Sequence, residues 1–146
     1  MTDNTDKKIL NVLLANSRLS YRQIAKKAGV SPATAINRIN RMRSEGIINR
    51  YTASLNYDKL GYGMHVVIEA RVSKGMLFET ETNIAQDPDV FAVYDVTGGF
   101  DIIIIARFKN TKQLDSFVKK LQKMPHVVRT HTKLILNVIK EEKMEI

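Results

Sequence analysis

The stretch from Ser31 to Gly46 carries a set of polar side chains whose types and spacing suit the edges of DNA bases. Arginine can donate two hydrogen bonds to guanine, asparagine can pair with adenine, and the threonine methyl group can contact the thymine methyl group. Four such residues occur here, Thr34, Asn37, Arg38 and Arg41. At about 100° per residue, their side chains fall on one side of a helix. The pattern predicts a base-reading surface; the alternative is an ordinary solvated face of an amphipathic helix.

The elements that must position this surface form a helix-turn-helix. A first helix over residues 20–28 opens with Ser20 three residues before Gln23, which is the spacing of a capping box. Gly29 ends it, and the second helix starts at Ser31 with Pro32 just inside. The apolar side of the second helix is expected to pack against the first helix and the residue before it. The contacting residues are Ala35, Ile36, Ile39 and Met42 in the second helix, and Leu19, Ile24, Ala25 and Ala28 in the preceding segment.

A third helix is predicted at Asp6–Ala15, where apolar residues recur at helical spacing. Residues 1–50 hold ten basic and three acidic side chains, a net charge of +7, whereas residues 51–146 carry only +1. A polyanion is therefore attracted to the N-terminal third. Four more residues are predicted to contact DNA: Ser31 at the helix cap, Lys26, Lys27 and Arg43. The three basic residues are interpreted as phosphate contacts, with solvated charge as the alternative.

The second half of the chain alternates strand and helix patterns twice. Strands are predicted at 64–72, 90–97, 102–108 and 127–139, with one helix ending near Asp87-Pro88 and another capped by Asn110 or Thr111 and ended by Pro125. The order βαββαβ implies an antiparallel sheet with both helices on one face. The predicted fold class is α+β: a three-helix, winged-helix-like helix-turn-helix domain (1–50), a linker strand (51–62) and a ferredoxin-like dimerisation and effector-binding domain (63–146).

The other face of this sheet is predicted to be apolar as well. Its residues are expected to be Val67, Phe91, Val93, Ile103 and Ile105. Because an apolar face of this size is seldom left in water, we expect a second copy of the chain to cover it, giving a homodimer or a larger assembly.

Several functional classes are disfavoured by the sequence. There is no cysteine, and His65, His126 and His131 lack metal-ligand spacing, so no metal site is expected. No serine has acid and base partners at motif spacing, so no catalytic residues and no cofactor are expected. No apolar run approaches the roughly 18–20 residues that span a bilayer, and residues 1–8 do not resemble a signal peptide. We therefore expect no membrane association and a cytoplasmic location.

Together these landmarks resemble the Lrp/AsnC family of feast/famine transcription regulators. The resemblance rests on the helix-turn-helix, on Gly46-Ile47-Ile48 followed by Tyr51, on Leu60-Gly61 after a short linker, and on the βαββαβ half. It implies a DNA-binding regulator that dimerises through its sheets, assembles into tetramers, octamers or larger, and binds an amino acid between dimers.

The resemblance also implies an effector-binding turn that in the family usually reads Gly-Asp-aromatic-Asp. Here it reads Gly98-Gly99-Phe100-Asp101, so Gly98, Phe100 and Asp101 match and Gly99 departs from the usual acid. Glycines let backbone amides approach a ligand carboxylate, and an aspartate can hold an ammonium group. Thr130 and Thr132 on the last strand are expected beside the ligand; a plain hairpin turn is the alternative.

Two other functions fit the same architecture. Some decarboxylases that act on the tetrapyrrole sirohaem resemble it, and the three histidines are compatible with that role. A ligand-sensing subunit without DNA binding is the other. The concentration of basic side chains in the N-terminal third favours the regulator.

Overall fold

The computed structural model describes residues 2–146 and assigns them helices in both halves and one sheet. The chain divides into two packed units, one running to Ser54 and including Lys140–Ile146, the other formed by Leu55–Ile139. The elements in chain order are α1 (Asn4–Ala15), α2 (Tyr21–Ala28), α3 (Pro32–Ser44), β1 (Met64–Val72), α4 (Leu77–Ala85), β2 (Val90–Asp95), β3 (Ile102–Phe108), α5 (Thr111–Gln122) and β4 (Val127–Leu134).

The N-terminal unit has the three predicted helices, each started by its own side-chain cap. Asp3 and Asp6 form a capping box on α1, Ser20 and Gln23 form one on α2, and the Ser31 hydroxyl accepts the Thr34 amide at the start of α3. Gly29 takes φ 71°, the left-handed conformation that ends α2 at low steric cost. The predicted packing of α3 against α2 is present, and α1 joins the same core, which contains Ile9, Leu10, Leu13, Ile24, Ala28, Ile39 and Met42.

Between α3 and β1 the chain has no regular strand. Residues 49–56 are irregular and a turn occupies residues 57–61, so the predicted linker strand over 51–62 is absent from the single chain. An extended segment gains ladder hydrogen bonds only when another strand lies beside it, and no strand within residues 2–146 pairs with this one.

The C-terminal unit is the predicted βαββαβ arrangement. Its four strands form an antiparallel sheet in the order β2-β3-β1-β4, which is the ferredoxin-like topology. Both helices cover one face: Ile84 of α4 and Phe117 and Leu121 of α5 are buried against the sheet. The strand residues beneath them are Val66, Ile68, Ala70, Ile102, Ile104, Ala106 and Phe108. The predicted α+β fold class is confirmed.

The open face of the sheet differs from the prediction at one strand. The register between β2 and β3 shifts between Val90 and Ala92, so that Val93 pairs with the buried Ile104 and packs into the helix-covered core. Tyr94 pairs instead with Ile103 and is 55% exposed. The assignment of Val93 to the open face was therefore wrong, because one irregularity in a strand exchanges the faces of the residues around it.

The last strand is shorter than predicted. It ends at Leu134 rather than near residue 139, although Ile135 still donates its amide to the His65 carbonyl. Residues Lys140–Ile146 belong with the N-terminal unit instead of the predicted C-terminal domain. There the Asn11 side chain donates to the Ile146 carbonyl and accepts its amide, both at 2.9 Å.

Candidate nucleic-acid interface and ligand loop

The predicted base-reading residues on the outer side of α3 differ in their exposure to solvent. Asn37 is exposed, whereas Thr34, Arg38 and Arg41 are half-buried. The apolar side of the same helix is buried as predicted, with Ala35, Ile39 and Met42 almost inaccessible. The neighbouring candidates are all exposed and are Ser31, Lys26, Lys27 and Arg43. The structure thus brings the eight candidates onto α3 and the end of α2, within one unit.

Two of the eight residues form the cap of α3. The Ser31 hydroxyl accepts the Thr34 amide at 3.1 Å, and the two hydroxyl groups lie 2.8 Å apart. This pair caps the N-terminus of α3, where the backbone amides have no partners inside the helix. The same amides and the positive end of the helix dipole favour an approaching phosphate. The start of α3 is therefore ordered and suited to anion contact.

The two arginines of the reading face are held by acidic residues at the start of α1. Arg41 Nη2 lies 2.5 Å from Asp6 Oδ2, and Arg38 Nη1 lies 3.2 Å from Asp6 Oδ1. Arg38 Nη1 also pairs with Asp3 Oδ2. Burial tends to raise the pKa of Asp6, but hydrogen bonds from the Asp3 amide and from both arginines outweigh it, so the pKa lies below its ordinary value.

The exposure of the two acids differs sharply. The Asp6 side chain is fully buried, whereas that of Asp3 is 51% exposed. The Asp6 amide, and then Arg38, lower the pKa of Asp3. Sequence reasoning missed both acids as parts of this surface. The signal was present in the Asp-x-x-Asp spacing of a capping box, but its link to α3 depends on residues more than thirty positions apart.

The loop at residues 98–101 is tied to the ends of three strands. Gly98 takes φ 122°, a conformation open mainly to glycine. The Asp101 carboxylate accepts the Val72 amide at 2.8 Å, its own amide donates to the Ala70 carbonyl at 3.0 Å, and its carbonyl accepts the Val96 amide at 2.9 Å. Asp101 therefore fixes the loop beside β1, and one of its carboxylate oxygens is already engaged.

An open cavity of about 630 Å³ lies beside this loop. Its lining includes Gly99, Phe100 and Ile103 but not Gly98 or Asp101, together with Glu69, an acid that the sequence analysis did not select. Asp95 also borders the cavity, but it pairs with the buried Ile102, so its side chain lies on the helix-covered face of the sheet. The signal for Glu69 was a single acid inside a mostly apolar strand. Lys133 Nζ donates to Glu69 at 2.8 Å, and this bond lowers the pKa of Glu69.

The structure does not bring Thr130 and Thr132 to the cavity. These residues pair with Ala70 and Ile68, whose side chains are buried under the helices, and directly paired residues share a face. Gln122 of α5 also donates to the Thr130 hydroxyl at 3.1 Å. The residues of β4 that approach the loop are the intervening ones: Arg129 stacks over the Phe100 ring at 5.5 Å, and the His131 ring lies 6.2 Å from it.

Within residues 2–146, no group of three or more potential metal-binding side chains is found. His131 Nδ1 lies 3.3 Å from Glu69 Oε2, and His65 is buried with its ring 6.4 Å from that of Phe91. No helix in the described part of the chain combines the length and apolar character needed to cross a bilayer.

Two family models match the chain, and together they cover nearly all of it. The model described as winged helix-turn-helix DNA-binding matches residues 2–49, and the model described as Lrp/AsnC ligand binding domain matches residues 65–145. An uncharacterised HTH-type transcriptional regulator of Pyrococcus abyssi (strain GE5 / Orsay) is 41% identical over 142 residues, covering 97% of each chain.

Solved structures agree with these matches. Escherichia coli AsnC superposes with a TM-score of 0.92 at 26% identity, covering 100% of this chain and 99% of that one. The complex of the transcriptional regulator NMB0573 from Neisseria meningitidis with L-methionine superposes with a TM-score of 0.91 at 26% identity, covering 97% of this chain and 94% of that one.

Proposed function

Because the chain belongs to the Lrp/AsnC family of transcription regulators, we propose that it reads double-stranded DNA through α3 and that an amino acid modulates this binding. The observation that carries the DNA-reading role is the outer face of α3, where Asn37, Arg38 and Arg41 lie on a unit with a large excess of basic residues. The family and the names of the relatives identify a regulator and not an enzyme, so the decarboxylase alternative is set aside.

The eight DNA-contact residues divide by chemistry. Asn37, Arg38, Arg41 and the Thr34 methyl group would contact base edges in the major groove. Lys26, Lys27, Arg43 and the capped end of α3 at Ser31 would contact phosphates and fix the register of the helix. Base contacts set sequence preference, whereas phosphate contacts supply affinity that falls steeply with salt.

A homodimer would bring two such helices to one site. The open face of the sheet supports this assembly: Val67, Ile103 and Ile105 lie in neighbouring strands, and Phe91 and Tyr94 are 61% and 55% exposed. Covering them would remove a contiguous apolar surface from water. Two helices related by a two-fold axis would read a pseudo-palindrome with half-sites about one helical turn, or a multiple of it, apart. Dimers would then assemble further.

The amino-acid effector would bind at the loop of residues 98–101. The L-methionine complex of the Neisseria regulator and the ligand-binding family model over residues 65–145 support an amino-acid effector for this half of the chain. Gly98 would let backbone amides approach the ligand carboxylate, and Phe100 would cover its side chain. The acid missing at Gly99 is offset by Glu69 on the cavity wall, which would hold the ammonium group together with Asp101.

The experiment that tests this function is a selection of bound duplexes from random oligonucleotides, run with and without a panel of amino acids. We expect an enriched pseudo-palindrome, and a change in affinity or half-site spacing with at least one amino acid. Absence of any enriched sequence would refute DNA reading; an enriched sequence unaffected by every amino acid would refute the effector alone. The predicted cytoplasmic location stays a prediction.

A further inference from the structure

The start of α1 is joined to the reading face of α3 by a single buried carboxylate. Asp6 Oδ2 accepts hydrogen bonds from Arg41 Nη2 at 2.5 Å and from the Asp3 amide at 3.0 Å, and Asp6 Oδ1 accepts one from Arg38 Nη1 at 3.2 Å. Both oxygens are thus occupied, and two of the three bonds come from proposed base readers.

A carboxylate in this position is costly unless it is fully bonded, because burial removes its hydration. Capping α1 needs only a side chain that accepts or returns one backbone bond, and exposed polar residues do this at α2. The Asp6 side chain is instead fully buried, and its two oxygens pair with two guanidinium groups. Its placement is therefore explained by the arginines that it binds.

A guanidinium group has five N–H donors in a plane, so binding a carboxylate on one edge leaves other donors directed elsewhere. The Arg38 and Arg41 side chains are 30% and 40% exposed, which shows that each keeps an accessible part while bound to Asp6. Arginine loses substantial rotamer freedom when it is ordered. Fixing both side chains before DNA arrives removes part of that cost from binding and sets where the free donors point.

We propose that Asp6 is a positioning residue for DNA sequence recognition: it holds Arg41 and Arg38 in the geometry in which their free edges meet bases. The proposal rests on the proposed DNA-reading function. In this arrangement Asp6 touches no DNA. It acts on specificity through the two arginines, and its removal lowers discrimination between sites more than it lowers total affinity.

The test is Asp6→Asn in the full chain, compared with Asp3→Asn. Both remove one negative charge from the same cluster, and asparagine at either position keeps an oxygen that can accept the backbone hydrogen bond of the capping box. Asp3, however, is half-exposed and contacts only Arg38 among the two arginines. Competition binding would measure the affinity for the selected site relative to random duplex, at a temperature where circular dichroism shows each variant folded.

For Asp6→Asn we expect the ratio of specific to random affinity to fall about 5- to 100-fold, the range for losing one good arginine–base contact. Random-duplex affinity should stay equal or rise, because a negative charge is gone. For Asp3→Asn the ratio should fall less than for Asp6→Asn, because Asp3 is half-exposed and pairs with Arg38 but not with Arg41. In a background of Arg38→Ala and Arg41→Ala, Asp6→Asn should have no further effect on the ratio.

Three outcomes would overturn the proposal. One is an unchanged ratio in folded Asp6→Asn, which would make Asp6 a purely structural residue. Another is an equal effect in the double-arginine background, since Asp6 would then act by another route. If Asp6→Asn fails to fold, Arg41→Lys replaces it: lysine keeps the charge but not the two-edged geometry, and an unchanged ratio again refutes the proposal. A wild-type chain that prefers no sequence refutes the DNA-reading function itself, which separates the two failures.

Discussion

Replacing Asp101 tests whether this residue is chiefly a ligand contact or a structural anchor. Its Oδ2 accepts the Val72 amide at 2.8 Å, close to the register shift between Arg71 and Val72 in the pairing of β1 with β4. A charge-assisted hydrogen bond contributes about 1.5–3 kcal/mol to stability, and removing the acceptor also leaves the partly buried amide unsatisfied. Asp101→Ala should therefore lower the free energy of unfolding by about 2–3 kcal/mol.

Asp101→Asn is the matched variant, because its amide oxygen can still accept the Val72 N–H. It exchanges a charge-assisted bond for a neutral one, which should cost only about 1 kcal/mol. For a unit of this size, each kcal/mol corresponds to roughly 4–8 °C in melting temperature. Thermal unfolding followed by calorimetry measures both changes, and calorimetric titration with the effector measures binding of each variant.

A structural role and a ligand-binding role of Asp101 predict different effects of the two variants on stability and on effector binding. If the bond to Val72 dominates, stability falls in the order wild type, Asp101→Asn, Asp101→Ala. If the second oxygen also holds an ammonium group, Asp101→Asn weakens effector binding more than it lowers stability, because an amide does not neutralise the ligand charge. An alanine variant as stable as the wild type would show that the bond to Val72 does not anchor the loop, whatever the effect of the substitution on ligand binding.

Three further predictions concern the other surfaces. Arg41→Ala should cost about 1–3 kcal/mol at the selected site and relax base preference at one position, measured by repeating the selection; a uniform loss on all sequences would make Arg41 a phosphate contact. Because the folded-state pKa values of Asp3 and Asp6 lie below the ordinary value of 3.8, their contribution to stability is complete above that value and is lost as the pH falls through the lower folded values. The melting temperature of the N-terminal unit should then drop below about pH 4, and Asp6→Asn should flatten that dependence; an unchanged pH profile would contradict it. Ile105→Lys on the open face should shift sedimentation towards the monomer, whereas Ser116→Lys on the exposed side of α5 should not; equal behaviour would place the dimer contact elsewhere.

An effector bound at residues 98–101 would influence the DNA-reading helices through the assembly state of the protein. A ligand at residues 98–101 changes DNA binding only if it binds one assembly state better than another. The loop is fixed to β1 and β2 through Asp101, so its shape is set by the sheet. Sedimentation at several effector concentrations, with and without DNA, would follow this coupling directly.

Local patterns in the sequence are enough to predict the type and order of the helices and strands. Helix caps act over three residues, and the 3.6- and 2-residue periods of apolar side chains are local, so α1 to α3, the apolar faces of β1 and α5 and the βαββαβ order could be predicted. The helix-turn-helix and the turn at Gly98-Gly99 were recognisable for the same reason: they lie within a few consecutive residues.

Which distant side chains contact one another depends on how the elements pack in three dimensions. The pairing of Arg41 with Asp6 spans 35 residues, and no local rule links the two positions. The faces of Val93 and Tyr94 depend on one irregularity in the pairing of β2 with β3, and the placement of Thr130 away from the cavity depends on the register of β4 against β1. Because successive side chains of a strand point to opposite faces, a shift of one residue in register exchanges core and surface, and the register is fixed only when the strands are packed together.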